Sequence, residues 1–219
     1  MERFDVIVIG MGPGGEAAAG RLLDAGRRVA VVERELIGGE CAYWACIPSK
    51  TLLRGPEARA AAGRYAGVST PTLNWPGLRD YRDYMIRHLD DAAQVRGYEQ
   101  AGATVIKGPA RLAGRGRVEA GGEVLEADHI VIATGSEPVR PPVEGLDTVT
   151  VWTNREATTV RDIPARVLLI GGSSQIPLIK DIIVETLSDM GITKERVRQL
   201  NVRIMNKLRV IAREHHLEG

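Results

Sequence analysis

The sequence predicts an α/β fold: a parallel sheet flanked by helices, followed by a short all-α tail. Three observations predict it. Short apolar runs of strand length alternate with helix-like segments. The first run ends in a cluster of glycines that opens a helix. After about Gly172 the vocabulary changes from Ala, Gly and Arg to Ile, Lys, Asn and Met, with Ala212 the one later alanine.

Composition narrows the class. A chain of 219 residues holds one or two domains, and 44% hydrophobic with 26% charged residues suits a globular protein. The net charge of +1 argues against a polybasic nucleic-acid binder as a whole. Aromatics are scarce at 4% while glycines number 25, which favours close backbone turns over an aromatic-lined core. No apolar stretch reaches the roughly 18 residues of a membrane helix. The N-terminus runs straight into a strand-like segment, so a secretory signal is not expected and the cytoplasm is the default. Two cysteines are too few for a secreted disulfide scaffold and suggest redox chemistry. No metal site is assigned.

The elements follow in order. Phe4 to Ile9 reads as a buried strand ending at Gly10. A helix then runs from Glu16 towards Gly26, and Arg28 to Glu33 reads as a second buried strand. Between the first strand and the helix lies Gly10-Met11-Gly12-Pro13-Gly14-Gly15. Gly10 permits the tight turn, Gly12 lets backbone approach a pyrophosphate, and Gly15 lets helix and strand pack closely. A diphosphate fits the helix N-terminus, where free N–H groups and the macrodipole favour anions. Glu33 ends the second strand, where a carboxylate accepts hydrogen bonds from a ribose. The pattern is a Rossmann-type dinucleotide-binding unit.

Gly38-Gly39-Glu40-Cys41-Ala42-Tyr43-Trp44-Ala45-Cys46-Ile47-Pro48-Ser49-Lys50 comes next. Two cysteines five apart can face each other across a first helical turn. A thiol at a helix N-terminus has a depressed pKa, and its thiolate is the reactive form. Farther on, a long polar helical stretch spans Arg79 to Gln100, between Pro76 and Gly102. Thr104 to Ile106 and Gly116 to Glu119 read as short strands, and Gly121-Gly122 as a hairpin turn. Ala127 to Gly135 reads as a buried strand running into a glycine turn. His129 on it reads as a strand-edge histidine without a catalytic role.

The cysteine segment resembles the active-site signature of the pyridine nucleotide-disulfide oxidoreductases, Gly-Gly-x-Cys-x4-Cys-x-Pro-Ser-Lys. The resemblance covers roughly residues 3 to 172 and implies an FAD-binding domain over residues 1–172. It implies that Cys41 exchanges with a substrate disulfide or similar acceptor. It implies that Cys46 contacts the flavin and forms the charge-transfer thiolate, with Lys50 near the flavin ring. Tyr43 and Ala45 depart from the common Asn-x-Gly wording between the cysteines. Gly39 joins the expected FAD contacts. Ala133-Thr134-Gly135 resembles the family's second FAD contact.

Ala165 to Gly172 resembles the strand that opens the family's NAD(P) domain. The glycine triplet expected after it is replaced by Gly171-Gly172-Ser173-Ser174-Gln175-Ile176-Pro177. The remainder is too short for the nicotinamide and interface domains, which carry the later Gly-Asp contact to FAD and the His-Glu acid–base pair. The expectation is a truncated or chimeric member that does not complete the NAD(P)H-to-disulfide reaction alone.

The expected tail domain is residues 173–219, a fusion with another vocabulary. Leu178 to Met190 reads as a helix, Gly191 breaks it, and Thr193 caps a second helix from Lys194 to about His215. The second helix resembles the recognition helix of sigma factor region 4, through Glu195-Arg196-Val197-Arg198-Gln199 and Lys207-Leu208-Arg209. That resemblance implies contact with promoter DNA or RNA polymerase through Lys194, Arg196, Arg198, Gln199 and Arg203. A basic helix that caps the flavin domain or mediates assembly reads the same pattern differently.

The leading expectation is FAD-dependent disulfide oxidoreduction, with a small-molecule or protein disulfide as acceptor. NAD(P)H is the electron donor in a complete relative, a homodimer is left open, and no membrane partner is expected. The rival is a DNA-binding, transcription-associated fusion with the flavin domain as sensor or carrier.

Overall fold

A computed structural model describes residues 2–140 and 145–167. The chain divides into two compact units, Met1–Asp162 and Ile163–Gly219. Of the second, residues 163–167 are described, and they carry no helix or strand. The expected strand to Gly172, both tail helices and the residues Lys194, Arg196, Arg198, Gln199 and Arg203 lie outside the described residues.

The first unit is a Rossmann-like α/β fold. Six strands form one sheet in the order β3-β2-β1-β6-β5-β4. They are β1 (Arg3–Ile9), β2 (Val29–Glu33), β3 (Thr104–Lys107), β4 (Ala110–Leu112), β5 (Arg117–Ala120) and β6 (Glu123–Ile132). β3, β2, β1 and β6 run parallel, whereas β4, β5 and the start of β6 pair antiparallel. The crossover from β1 to β2 is α1 (Pro13–Asp24). Helices α2 (Gly39–Tyr43), α3 (Cys46–Ala62), α4 (Trp75–Met85) and α5 (Ala92–Gln100) lie between β2 and β3, and α6 (Asn154–Thr158) follows β6.

The central strands are apolar without alternation because both sheet faces are covered. β2 is buried at all five positions. Val29 and Val31 join Val6, Val8, Ala19 and Ile37 in one core, against partly buried Leu22, Leu23, Val95 and Tyr98 of α1 and α5. Ala30 and Val32 join Phe4, Ile7, Val118 and Leu125 in the other, so the antiparallel strands close that face. Val31, Ile7 and Val8 are fully enclosed, and burying each such side chain is worth about 1.5–3 kcal/mol.

Several elements differ from the sequence expectation. The first helix starts at Pro13, three residues before Glu16, because proline suits the first helical turn and Gly12 is the N-cap. The stretch Arg79 to Gln100 is not one helix. It is broken by Arg87, His88 and Leu89, whose φ values are 52°, 51° and 60°. Each left-handed non-glycine residue costs about 1–2 kcal/mol, so tertiary contacts set this break. Arg87 faces the Tyr43 ring, 6.0 Å from its centroid.

β6 starts at Glu123 and ends at Ile132, so Ala133, Thr134 and Gly135 lie just beyond the strand rather than in it. Nor is it buried throughout: His129 is exposed and Ile132 is 62% exposed. His129 pairs with Val6 in the sheet interior and is therefore not on an edge strand. The Gly121-Gly122 turn joins β5 and β6, with positive φ at both residues. Among the described residues no helix is long and apolar enough to cross a membrane.

Candidate active site

The parallel strands deliver their C-terminal ends to one cleft of about 850 Å³, within the roughly 300–1,000 Å³ range of small-molecule and cofactor sites. Its first wall is the glycine turn. Gly10 has φ +91°, and a Cβ there would lie 2.4 Å from the Ala133 carbonyl oxygen. A Cβ on Gly15 would lie 1.9 Å from the Gly10 carbonyl oxygen. Helix α1 thus enters against bare backbone. No side chain caps its N-terminus. Gly12, Pro13 and Gly14 line the cleft there, where helix N–H groups attract an anion.

Glu33 lines the same cleft yet is only 8% exposed. Its Oε2 accepts a hydrogen bond from the Met11 N–H at 2.7 Å, and its Oε1 accepts one from the Glu35 N–H at 2.8 Å. The carboxylate therefore fixes both neighbouring turns, and each oxygen keeps a further lone pair free to accept. Ala133, Thr134 and Gly135 form the opposite lining.

Both cysteines also line the cleft. They do not face each other across the first turn of one helix. Cys41 lies in α2, Cys46 opens α3, and Trp44 and Ala45 separate the two helices. The glycine φ values of +118° at Gly38 and +57° at Gly39 start α2 directly against the glycine turn. A Cβ on Gly39 would lie 2.8 Å from the Gly12 Cα. The two half-buried thiols are free and share a hydrogen bond. That bond, together with burial, pushes the Cys41 thiol up from its ordinary range, while the nearby Lys50 ammonium pulls it down. The direction is opposite to the depression expected of a thiol at a helix N-terminus, because α2 is one short turn and the effects of Cys46 and burial outweigh that of Lys50. Lys50 is exposed on α3, one turn after Cys46, and neither it nor Gly15 lines the cleft.

Local sequence reasoning missed an ionic cluster on the remaining wall. Arg155 of α6 donates from Nη1 and Nη2 to the two Glu35 carboxylate oxygens, at 3.0 and 2.8 Å, and from Nε to Glu40 at 2.5 Å. Its guanidinium stacks 4.2 Å from the Trp44 ring centroid. Arg155 holds the Glu35 carboxyl below the usual carboxylate range, and the two carboxylates push the Arg155 guanidinium up. Asn154 donates to Glu40 at 2.9 Å and to the Trp44 carbonyl at 3.1 Å. The Thr158 hydroxyl donates to the same carbonyl at 3.0 Å. Arg34 and Glu137 pair at the cleft lining as well. The one local signal for α6 is its capping box, in which Thr153 and Glu156 bond reciprocally.

Cleft, glycine turn and paired thiols define a Rossmann-like fold of the dinucleotide-binding type with two thiols lining its cleft. The family model for pyridine nucleotide-disulphide oxidoreductases matches residues 4–174. The chain belongs to that family. It is 35% identical over 179 residues to a mercuric reductase of Streptomyces lividans, covering 77% of this chain and 38% of that protein. It is 40% identical over 186 residues to dihydrolipoyl dehydrogenase 3 of Pseudomonas aeruginosa, covering 78% and 39%. The chain thus spans under two fifths of the length of these relatives. A solved structure, the Cu(II) complex of the HOCl-induced flavoprotein disulfide reductase RclA from Escherichia coli, shares the fold with a TM-score of 0.60. That match has 23% identity and covers 73% of this chain and 34% of the other. The family works with FAD and takes NAD(P)H as its second cofactor.

Proposed function

We propose that this chain supplies the FAD site and redox dithiol of a flavin-dependent disulfide oxidoreductase. One observation carries the reading: a single cleft joins the open N-terminus of α1, the Glu33 carboxylate and both cysteines. Gly12, Pro13 and Gly14 receive the diphosphate on backbone N–H groups where residues have them, and Gly10 and Gly15 keep that turn close-packed. Glu33 accepts from the ribose hydroxyls on its remaining lone pairs. Gly39, Ala133, Thr134 and Gly135 bring backbone close to the cofactor, with Lys50 near its ring end.

FAD, when bound, supplies a two-electron carrier beside the dithiol. The Cys41–Cys46 disulfide takes up two electrons and two protons to give two thiols. The Cys41 thiolate then attacks a disulfide sulfur of the acceptor, forming a mixed disulfide and releasing one acceptor thiol. Cys46 attacks Cys41, restores the intramolecular disulfide and releases the second thiol. NAD(P)H as ultimate donor, a small-molecule or protein disulfide as acceptor, a homodimeric state and a cytoplasmic setting belong to the same reading. The promoter-binding reading of the tail rests on no described residue.

The test is the visible spectrum of purified protein after incubation with FAD. A flavin band that stays with the protein through desalting supports the reading, and Glu33→Ala is expected to lose it. Protein that stays colourless with added FAD overturns it.

A further inference from the structure

We infer that Arg155 is a positioning residue that locks the dithiol segment Glu40–Cys46 against the cleft wall. The inference deepens the proposed dithiol function and rests on it for its purpose. The lock itself is a property of the polypeptide alone. It is made by a helix more than a hundred positions away in sequence, as Arg155 meets Glu40 at a separation of 115.

Three α6 residues reach the short segment between the cysteines. Arg155 holds Glu40, the residue before Cys41, and covers the Trp44 ring. Asn154 and Thr158 share the Trp44 carbonyl, two residues before Cys46. The opposite side of the segment is also held. Tyr43 is fully buried, its hydroxyl donates to the Ile37 carbonyl at 3.1 Å, and Arg87 faces its ring. Backbone bonds from Trp44 and Ala45 to the Glu40 carbonyl close the turn between α2 and α3, and these side chains add to them by holding both sides of the segment.

Arg155 does a second thing. Glu35 and Glu40 line the cleft beside the thiols. Their carboxylates oppose formation of a thiolate nearby, and the guanidinium between them offsets that charge. Burial, Cys46 and Lys50 act on Cys41, and Glu40 from its own helix, Glu35 from the loop before it and Arg155 from α6 are the other charged groups lining this part of the cleft. Position and charge are separable. A bidentate, stacked contact needs arginine, whereas charge alone needs only a cation.

The experiment is alkylation of the reduced chain with iodoacetamide across pH, with Cys41 and Cys46 followed separately by peptide mass. The high-pH plateau reports access to the thiol, and the midpoint reports the charge around it. In Arg155→Ala the Cys41 plateau is expected to rise about tenfold, as charge-assisted bonds that close the segment are removed, and the midpoint to move alkaline. Arg155→Lys is expected to restore the midpoint and leave the plateau high. Asn154→Ala is expected to raise the plateau with the midpoint unchanged. Far-UV circular dichroism keeps only folded variants in the comparison. If folded Arg155→Ala and Asn154→Ala both keep the parent plateau, the lock does not exist. Full restoration of the plateau by lysine would reduce Arg155 to a charge and overturn the positional role. Alkylation needs no flavin, so a colourless protein defeats the flavin reading alone, and a yellow protein with unchanged plateaus defeats this inference alone.

Discussion

The two walls of the cleft are built in different ways. The nucleotide wall is mostly local and made of backbone: β1, α1 and β2 are consecutive, and its tight points are missing side chains at Gly15, against Gly10, and at Gly10, against the backbone after β6. The dithiol wall is long-range and made of side chains: Arg155, Asn154 and Thr158 hold a segment a hundred or more residues earlier. A backbone wall tolerates no added volume but has few charges to disturb. A side-chain wall has room to yield, yet every member is a polar group that needs its partner. The two therefore fail by different physics, and their failures differ in size.

The largest effect is expected in the nucleotide wall. Gly10→Ala puts a Cβ 2.4 Å from the Ala133 carbonyl oxygen at a residue with φ +91°. Backbone must shift, since no flexible side chain stands in the way. The expected loss is about 3 kcal/mol or more, from strain and overpacking together. Urea unfolding checks it. A midpoint equal to the parent's would show that the turn can relax and that the wall is not rigid.

Next comes the support behind the dithiol wall. Arg82 on α4 is fully buried. It donates to the Thr158 carbonyl at 2.5 Å, to the Val160 carbonyl at 3.1 Å and to Asp83 at 2.8 Å. Its guanidinium thus caps the C-terminal end of α6. Arg82→Met keeps much of the volume but strands two carbonyls. A loss of about 3 kcal/mol is expected, with earlier proteolytic cleavage around α6 than elsewhere. Uniform cleavage would mean that α6 is not held through Arg82.

The same contrast explains what the sequence revealed. The βαβ unit was readable because glycine spacing, strand length and the closing Glu33 lie within about thirty residues and each has one physical reason. The cysteine pair was readable for the same cause. The burial of Glu33 among backbone N–H groups was not, since residue spacing does not say which lone pairs are taken. The break at Arg87–Leu89 was hidden because ordinary residues are forced left-handed by contacts elsewhere. Arg155 was invisible because nothing near it in sequence names Glu35, Glu40 or Trp44 as partners.

A smaller effect falls where the walls meet. Glu33→Gln keeps the shape of the side chain. Its amide nitrogen must then face one of the two N–H groups, from Met11 or Glu35, that the carboxylate now accepts. One buried bond is lost, for about 1–2 kcal/mol. FAD uptake is expected to weaken more than stability does, because the proposed ribose contact uses the same oxygens. Equal uptake by parent and variant, measured by fluorescence titration, would remove Glu33 from the nucleotide wall.

The smallest effect is a pH dependence of the Arg155–Glu35 pair. Arg155 depresses the Glu35 carboxyl in the folded chain. A depressed carboxyl binds its proton more weakly when folded than when unfolded. Its stabilisation is therefore complete above the unfolded value, about 4.3 for glutamate, and is lost as pH falls through the lower, folded value. Both side chains are partly exposed, at 28% and 38%, so solvent screening limits the contribution to about 1 kcal/mol. Parent and Glu35→Gln are thus expected to differ by that amount at neutral pH and to converge in acid. The nucleotide turn carries no such pair, so FAD uptake should not follow this titration. A difference that persists in strong acid would show that Glu35 acts by shape, and the dithiol wall would then resemble the nucleotide wall more than its charges suggest.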